Sequence, residues 1–185
     1  MIDIIFETHS ISEDNEAGLA SGWNHSRLSE KGRELARLLG ERRRNESFSA
    51  VFCSDLRRAV ETAEIAFGAT AKPILHDWRL RECDFGEMNG TAHRERAPFL
   101  DRPYPRGETW REAIERVGRA LDDLALRWDG GSVLIIGHVA TRWALEHYTH
   151  GVALEELVTI DFEWRQGWKY QLQTPRVRAV DRARD

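Results

Sequence analysis

Two histidines and one arginine stand at matching places in this chain, each just after a short apolar run. His9 follows Ile2-Asp3-Ile4-Ile5-Phe6 and the pair Glu7-Thr8. His138 follows Ser132-Val133-Leu134-Ile135-Ile136 and Gly137, and Arg58 lies four residues beyond Ser49-Ala50-Val51-Phe52-Cys53-Ser54. Near neutral pH a histidine can attack, accept a proton or donate a hydrogen bond, and an arginine grips anions through a planar fork. Polar groups at the carboxyl end of a buried strand sit where open α/β sheets keep ligand sites. A lone histidine there is more often an ordinary strand-to-loop residue. A second histidine in the same setting changes that reading. So does an arginine in the first turns of a helix, where free backbone amides also gather and favour an anion.

The elements that must position these groups read as alternating strands and helices. Residues 2–6 form a β-branched strand, and a polar loop over 12–24 follows, with Asp14-Asn15-Glu16 placed to help shape a pocket beside His9. Ser29 caps a helix over 30 to about 44, with Leu35, Leu38 and Leu39 as its apolar face and Glu41-Arg42-Arg43-Arg44 as a solvated end. Strands are expected at 49–54 and 73–76, and a helix at 56–66. The stretch 91–107 is polar and holds Pro98, Pro103 and Pro105, so it suits a lid or insertion rather than a long regular element. Thr109-x-x-Glu112 is a capping box opening a helix to about 128, with Ile114, Val117, Leu121 and Leu124 inward. Residues 132–136 should be a central parallel strand, followed by a helix from about 140 to 147. Residues 159–164 and 168–174, joined by Arg165-Gln166-Gly167, read as an antiparallel edge hairpin on which a second copy could pair. The expected fold is one α/β domain over residues 1–185. It is a three-layer α/β/α sandwich with a mostly parallel central sheet and that antiparallel hairpin at its edge.

Composition narrows the class. The net charge of −4 argues against a nucleic-acid binder driven by bulk electrostatics. The arginines of the tail (Arg176, Arg178, Arg182, Arg184) are interrupted by acids and read as a solvated terminus. Cys53 and Cys83 give neither a metal spacing nor a disulfide framework, and Cys53 reads as a small buried apolar group. No signal-peptide pattern opens the chain, and no apolar run approaches membrane-spanning length. The expectation is a cytoplasmic protein that binds neither nucleic acid nor membrane.

Taken in order, these stretches resemble the histidine phosphatase superfamily, the group of phosphoglycerate mutases and broad-range phosphatases. Leu28-Ser29-Glu30-Lys31-Gly32 resembles its entry to the first helix, and Ser54-Asp55-Leu56-Arg57-Arg58-Ala59-Val60-Glu61-Thr62-Ala63 its Ser-x-Leu-x-Arg-Ala-x-Gln-Thr-Ala segment. Leu80-Arg81-Glu82 with Phe85-Gly86 and Gly90 is similar to its acid-bearing loop, Gly107-Glu108-Thr109 to its Gly-Glu-Ser, and Gly137-His138 to its second histidine motif. The resemblance implies that His9 attacks phosphorus, Arg58 holds the phosphoryl oxygens and His138 donates to the transferring group. It implies that Glu82 protonates the leaving oxygen and then deprotonates water, with partial burial beside Phe85 helping it hold a proton. No metal or cofactor is required. The implied activity is hydrolysis of a small phosphomonoester, since the chain is shorter than mutases with their longer insertions.

One departure stands out. The family's Arg-His-Gly is here Thr8-His9-Ser10, preceded by Glu7. Losing one charge-assisted clamp on phosphate costs about 1.5–3 kcal/mol, or about tenfold to a hundredfold in affinity. Thr8 and Ser10 hydroxyls can donate without charge, and Arg57, Arg81 or Arg142 could supply the missing cation. Two alternatives stay open: a mutase-type phosphotransferase, and a weakly active or non-catalytic ligand-binding member, the latter favoured if Glu7 closes the pocket. Substrate choice should lie in the Asn15-bearing loop and in 91–107, and Trp23, Trp78 and Trp110 are candidates to line the pocket.

Overall fold

The computed structural model describes residues 1–161 and 163–174. Five strands, β1 (Ile2–Thr8), β2 (Val51–Cys53), β3 (Ile74–His76), β4 (Ser132–Gly137) and β5 (Trp168–Leu172), form one sheet in the order β3-β2-β4-β1-β5. β5 runs antiparallel to β1, and the other pairings are parallel. Among the described residues six α-helices accompany them: α1 (Glu13–Glu16), α2 (Glu30–Arg43), α3 (Arg57–Phe67), α4 (Trp110–Arg127), α5 (Val139–His150) and α6 (Leu154–Leu157).

The strands alternate between two cores, which is why they read as continuous apolar runs. Ile4, Phe6, Phe52, Val133 and Ile135 face one way, into a cluster with α4 and α5 residues such as Trp110, Ile114, Val117 and Trp143. Ile5, Val51, Cys53, Leu134 and Ile136 face the other way, against Leu39 of α2 and Ala59, Ala63 and Phe67 of α3. The expected three layers are therefore present. Burial pushes the Cys53 thiol up to about 12, as befits a thiol that packs as an apolar group. Among the described residues no helix is long and apolar enough to cross a membrane.

The helix starts follow the sequence signals. Ser29 Oγ accepts from the Gly32 amide, and Thr109 and Glu112 close a reciprocal capping box. Gly32 has no room for a side chain, because a Cβ would stand 1.9 Å from the Ile11 carbonyl oxygen. That close approach ties the start of α2 to the loop leaving His9.

Two expectations fail. The antiparallel edge exists, but β5 makes it alone against β1, and the described residues of 159–164 are turn and coil. Ile160 and Trp164 stay exposed, so that segment has no buried face to hold a strand. The end of α2 is not simply solvated either. Arg43 is buried, and its Nε donates to the buried Glu7 carboxylate at 2.8 Å, with Arg42 Nη2 donating to both Glu7 oxygens at 3.1 Å. The arginine-bearing tail lies outside the described residues.

Candidate active site

Parallel pairing of β1 with β4 sets Thr8 opposite Gly137, and the His9 amide donates to the Gly137 carbonyl at 3.0 Å. His9 and His138 therefore leave the sheet side by side, their ring centroids 5.0 Å apart. β2 pairs with β4 on its other side and delivers Ser54 and then α3, which carries Arg58, to the same edge.

His9 Nδ1 lies 2.7 Å from the Ser10 carbonyl oxygen, an acceptor only, so Nδ1 carries the proton. The lone pair is then on Nε2, which accepts from Arg58 Nε at 3.2 Å. Burial, and then the Arg58 charge, lower the His9 pKa to about 3, so the ring is neutral at physiological pH. Thr62 holds this arrangement from behind. Its hydroxyl accepts from the Ser10 amide at 3.0 Å and donates to the Arg58 carbonyl at 2.7 Å.

Arg58 is buried, and its fork is aimed by two carbonyls, Gly22 at 2.8 Å and Asn24 at 3.1 Å. Gly22 has φ +51°, and a Cβ there would collide with Asn89, so the turn that offers this carbonyl needs glycine. Burial lowers the Arg58 pKa to about 10, which leaves it charged at neutral pH. His138 is also buried, its ring held between Ser54 Oγ (2.6 Å from Nε2) and Arg58 Nη2 (3.3 Å from Nδ1). Burial, then Arg58, keep it neutral by pushing its pKa well down. Arg58 Nη2 can only donate, so Nδ1 is the acceptor and the His138 proton lies on Nε2, donated to Ser54 Oγ.

Glu82 sits at the amino end of α5. Its carboxylate accepts from the amides of Ala140 (3.0 Å), Val139 (3.2 Å) and Cys83 (3.0 Å), where the helix dipole also favours an anion. The loop carrying it is clamped by Arg116 of α4, which donates to the carbonyls of Arg79, Arg81 and Glu82 and pairs with Glu108.

A cavity of about 240 Å³ opens on His9, Arg58, Glu82 and Asn15, with Trp110, Arg94 and Arg96 on its wall. Arg94 and Arg96 come from the 91–107 stretch and reach across to the carbonyls of Gly18 (2.5 Å) and Ile160 (3.1 Å). A second chamber of about 590 Å³ adjoins it at His9, Asn15, Glu82 and Val139, and is lined by Thr8, Ser10 and His138.

Most of the expected residues thus meet. His9, Arg58, Glu82 and His138 converge, Asn15 lines both spaces, and Thr8 and Ser10 line the second. Arg57 does not join them: it is exposed and paired with Glu61 at 2.7 Å. Arg81 pairs with Asp55 at 2.5 Å, and Arg142 packs over the Trp168 ring, so neither replaces the missing arginine. Glu7 does not close the pocket, because its carboxylate is bound to Arg42 and Arg43. Of the tryptophans only Trp110 lines the first cavity; Trp23 donates to the Glu82 carbonyl at 2.7 Å and Trp78 is exposed. Ser54, Thr62 and Arg116 escaped the sequence reading. Two of them lie inside the quoted Ser54-to-Ala63 motif, and that was the available signal. Among the described residues no group of three metal-ligating side chains comes together.

A family model described as histidine phosphatase superfamily (branch 1) matches residues 4–167. The bifunctional protein Rv2228c of Mycobacterium tuberculosis is 32% identical over 143 residues, covering 71% of this chain and 39% of that protein. A 2,3-bisphosphoglycerate-dependent phosphoglycerate mutase of Streptococcus sanguinis is 33% identical over 102 residues, covering 52% of this chain and 44% of the mutase. The chain therefore spans less than half the length of these curated relatives. Among solved structures, YhfR of Bacillus stearothermophilus superposes with a TM-score of 0.82 at 29% identity, covering 91% of this chain and 90% of that one. A mycobacterial glucosyl-3-phosphoglycerate phosphatase in complex with VO3 gives 0.78 at 21% identity, covering 90% and 91%, a likeness of fold.

Proposed function

The chain belongs to the histidine phosphatase superfamily, and from that membership we propose that it hydrolyses small phosphomonoesters through a phosphohistidine on His9. The observation that carries this reading is the state of His9: neutral, its Nδ1–H spent on Ser10, its unprotonated Nε2 held at the Arg58 fork where a phosphoryl group would be bound.

In the first step Nε2 attacks phosphorus and an N–P bond forms as the ester P–O bond breaks. The departing alkoxide takes a proton from Glu82. Arg58 carries the growing negative charge on the phosphoryl oxygens, and His138, accepting from Arg58 Nη2 at Nδ1 and donating from Nε2 to Ser54, holds that fork in place. In the second step water attacks the phosphohistidine, Glu82 takes its proton, and the N–P bond breaks to release inorganic phosphate. The amides of Cys83, Val139 and Ala140 hold the Glu82 carboxyl group in place for both steps, and a substrate monoanion brings the proton that Glu82 passes to the leaving oxygen. The 91–107 stretch acts as a lid, with Arg94 and Arg96 over the phosphoryl pocket.

Phosphate release from p-nitrophenyl phosphate, measured beside trapping of labelled enzyme in alkaline denaturant, tests the scheme. Turnover with an acid-labile phosphoenzyme is expected, and turnover without one in a His9→Ala variant overturns it. The likeness to the Streptococcus sanguinis mutase supports a second reading, a phosphotransferase. Transfer to an added alcohol that outpaces release to water would favour that reading.

A further inference from the structure

Helix α2 spends its apolar residues in an unexpected way. Its buried stripe is Gly32, Ala36, Leu39 and Arg43, at spacings of four, three and four. Leu35 and Leu38 fall off this stripe. Leu38 is 45% exposed, and both leucines line the chamber of about 590 Å³ beside His9. Trp164, 54% exposed, and Ile11 line it too. Helical spacing alone assigned these leucines to the core, yet the core does not use them. Two exposed large apolar side chains on the wall of a space that reaches the nucleophile call for an occupant.

The charges of the two spaces differ in kind. In the first cavity Arg58, Arg94 and Arg96 outnumber Glu82, which suits phosphate. In the second chamber Glu7 and Glu82 are matched by Lys31 and Arg42, and the Arg42 charge is turned to Glu7. Position 8, where the family motif has an arginine, lines this second chamber, and here it offers a threonine methyl and hydroxyl. A charged substrate body would find no surplus of opposite charge there. An apolar one would find leucine and tryptophan.

We propose that this chamber binds the apolar body of the alcohol esterified to phosphate, making aryl and branched hydrocarbon phosphomonoesters the preferred substrate class. The proposal rests on the hydrolase reading for its kinetics but not for its binding. The phosphoryl group lies at Arg58, and the hydrocarbon lies along α2, with Glu82 bordering both spaces to meet the leaving oxygen.

Kinetics of wild type, Leu38→Asp and Trp164→Ser with 1-naphthyl phosphate and glycerol 3-phosphate test it. Both substituted residues are half exposed, so folding does not depend on them. Removing one apolar contact surface should lower kcat/KM for 1-naphthyl phosphate about tenfold, mainly through KM, and leave glycerol 3-phosphate within about twofold. Equal loss on both substrates, or no loss on either, overturns the proposal. If wild type hydrolyses neither, the hydrolase reading fails, and calorimetric titration with 1-naphthol decides the chamber separately. Binding by wild type that weakens in Leu38→Asp upholds it, and absent or unchanged binding overturns it.

Discussion

His9 and His138 leave adjacent parallel strands at the same level, and both rings are neutral, yet their surroundings assign them different work. His9 gives its Nδ1 proton to a backbone carbonyl, which cannot rotate or change role. One nitrogen is thereby fixed as donor and the other as lone pair. His138 meets side chains on both nitrogens, a serine hydroxyl and the Arg58 fork, and is almost wholly enclosed. Its Nδ1 accepts from Arg58 and its Nε2 proton goes to Ser54, which suits a ring that aims the Arg58 fork but not an attacking atom. The strand end supplies the position of each ring, and the partner of each ring supplies its chemistry.

Given that difference, the two substitutions to alanine should fail in different ways. His9→Ala removes the attacking atom, so turnover of p-nitrophenyl phosphate should fall by at least about 10⁴-fold and no phosphoenzyme should be trapped. His138→Ala removes the acceptor that aims Arg58 Nη2, so kcat should fall about 10- to 100-fold while labelled phosphoenzyme still forms slowly. A His138→Ala protein that never labels, or a His9→Ala protein that does, would reverse the assignment.

The same contrast marks what the sequence made legible. Both histidines and Arg58 could be placed because each follows an apolar run and neighbouring parallel strands end together. Glu82 could not be placed that way. It lies in an irregular loop with no periodicity, and only the order of family motifs pointed to it. The groups that hold the site, Ser54, Thr62 and Arg116, act through hydrogen bonds across 84, 52 and up to 37 residues of chain, which local patterns do not encode. The run Glu41-Arg42-Arg43-Arg44 misled for the opposite reason. Charge at a helix end suits solvent and the dipole equally well, and the sign that Arg43 is buried was its partner, the acid that follows the apolar run Ile4-Ile5-Phe6. Leu35, Leu38 and Leu39 share a face by spacing, but only Leu39 is committed to the core.

Thr62 sharpens the comparison at a smaller scale, because it bonds the backbone that orients the attacking histidine. Thr62→Val removes the acceptor of the Ser10 amide, whose carbonyl orients His9. Losing one such bond is worth about 1 kcal/mol, so kcat should fall about fivefold with KM little changed. Thr62→Ser should restore it. A loss that serine does not rescue would mean the methyl group, and hence packing, was responsible.

The gentlest test is pH-dependent stability. His9 has its pKa lowered from 6.5 to about 3, so between those values the unfolded chain binds a proton that the folded chain refuses. Folding should therefore lose stability as pH falls from about 6.5 toward 3, and His138, shifted the same way, adds to the loss. Replacing His9 by a residue that does not titrate removes one of the two protons from this balance. In urea unfolding at a series of pH values, His9→Asn should show a shallower decline than wild type below pH 6.5 and the same plateau shape above it. Parallel curves would mean that the folded protein protonates His9 as readily as the unfolded one. The ring would then not be held neutral by its burial and by Arg58, and the distinction between the two histidines would have to rest on hydrogen-bond geometry alone.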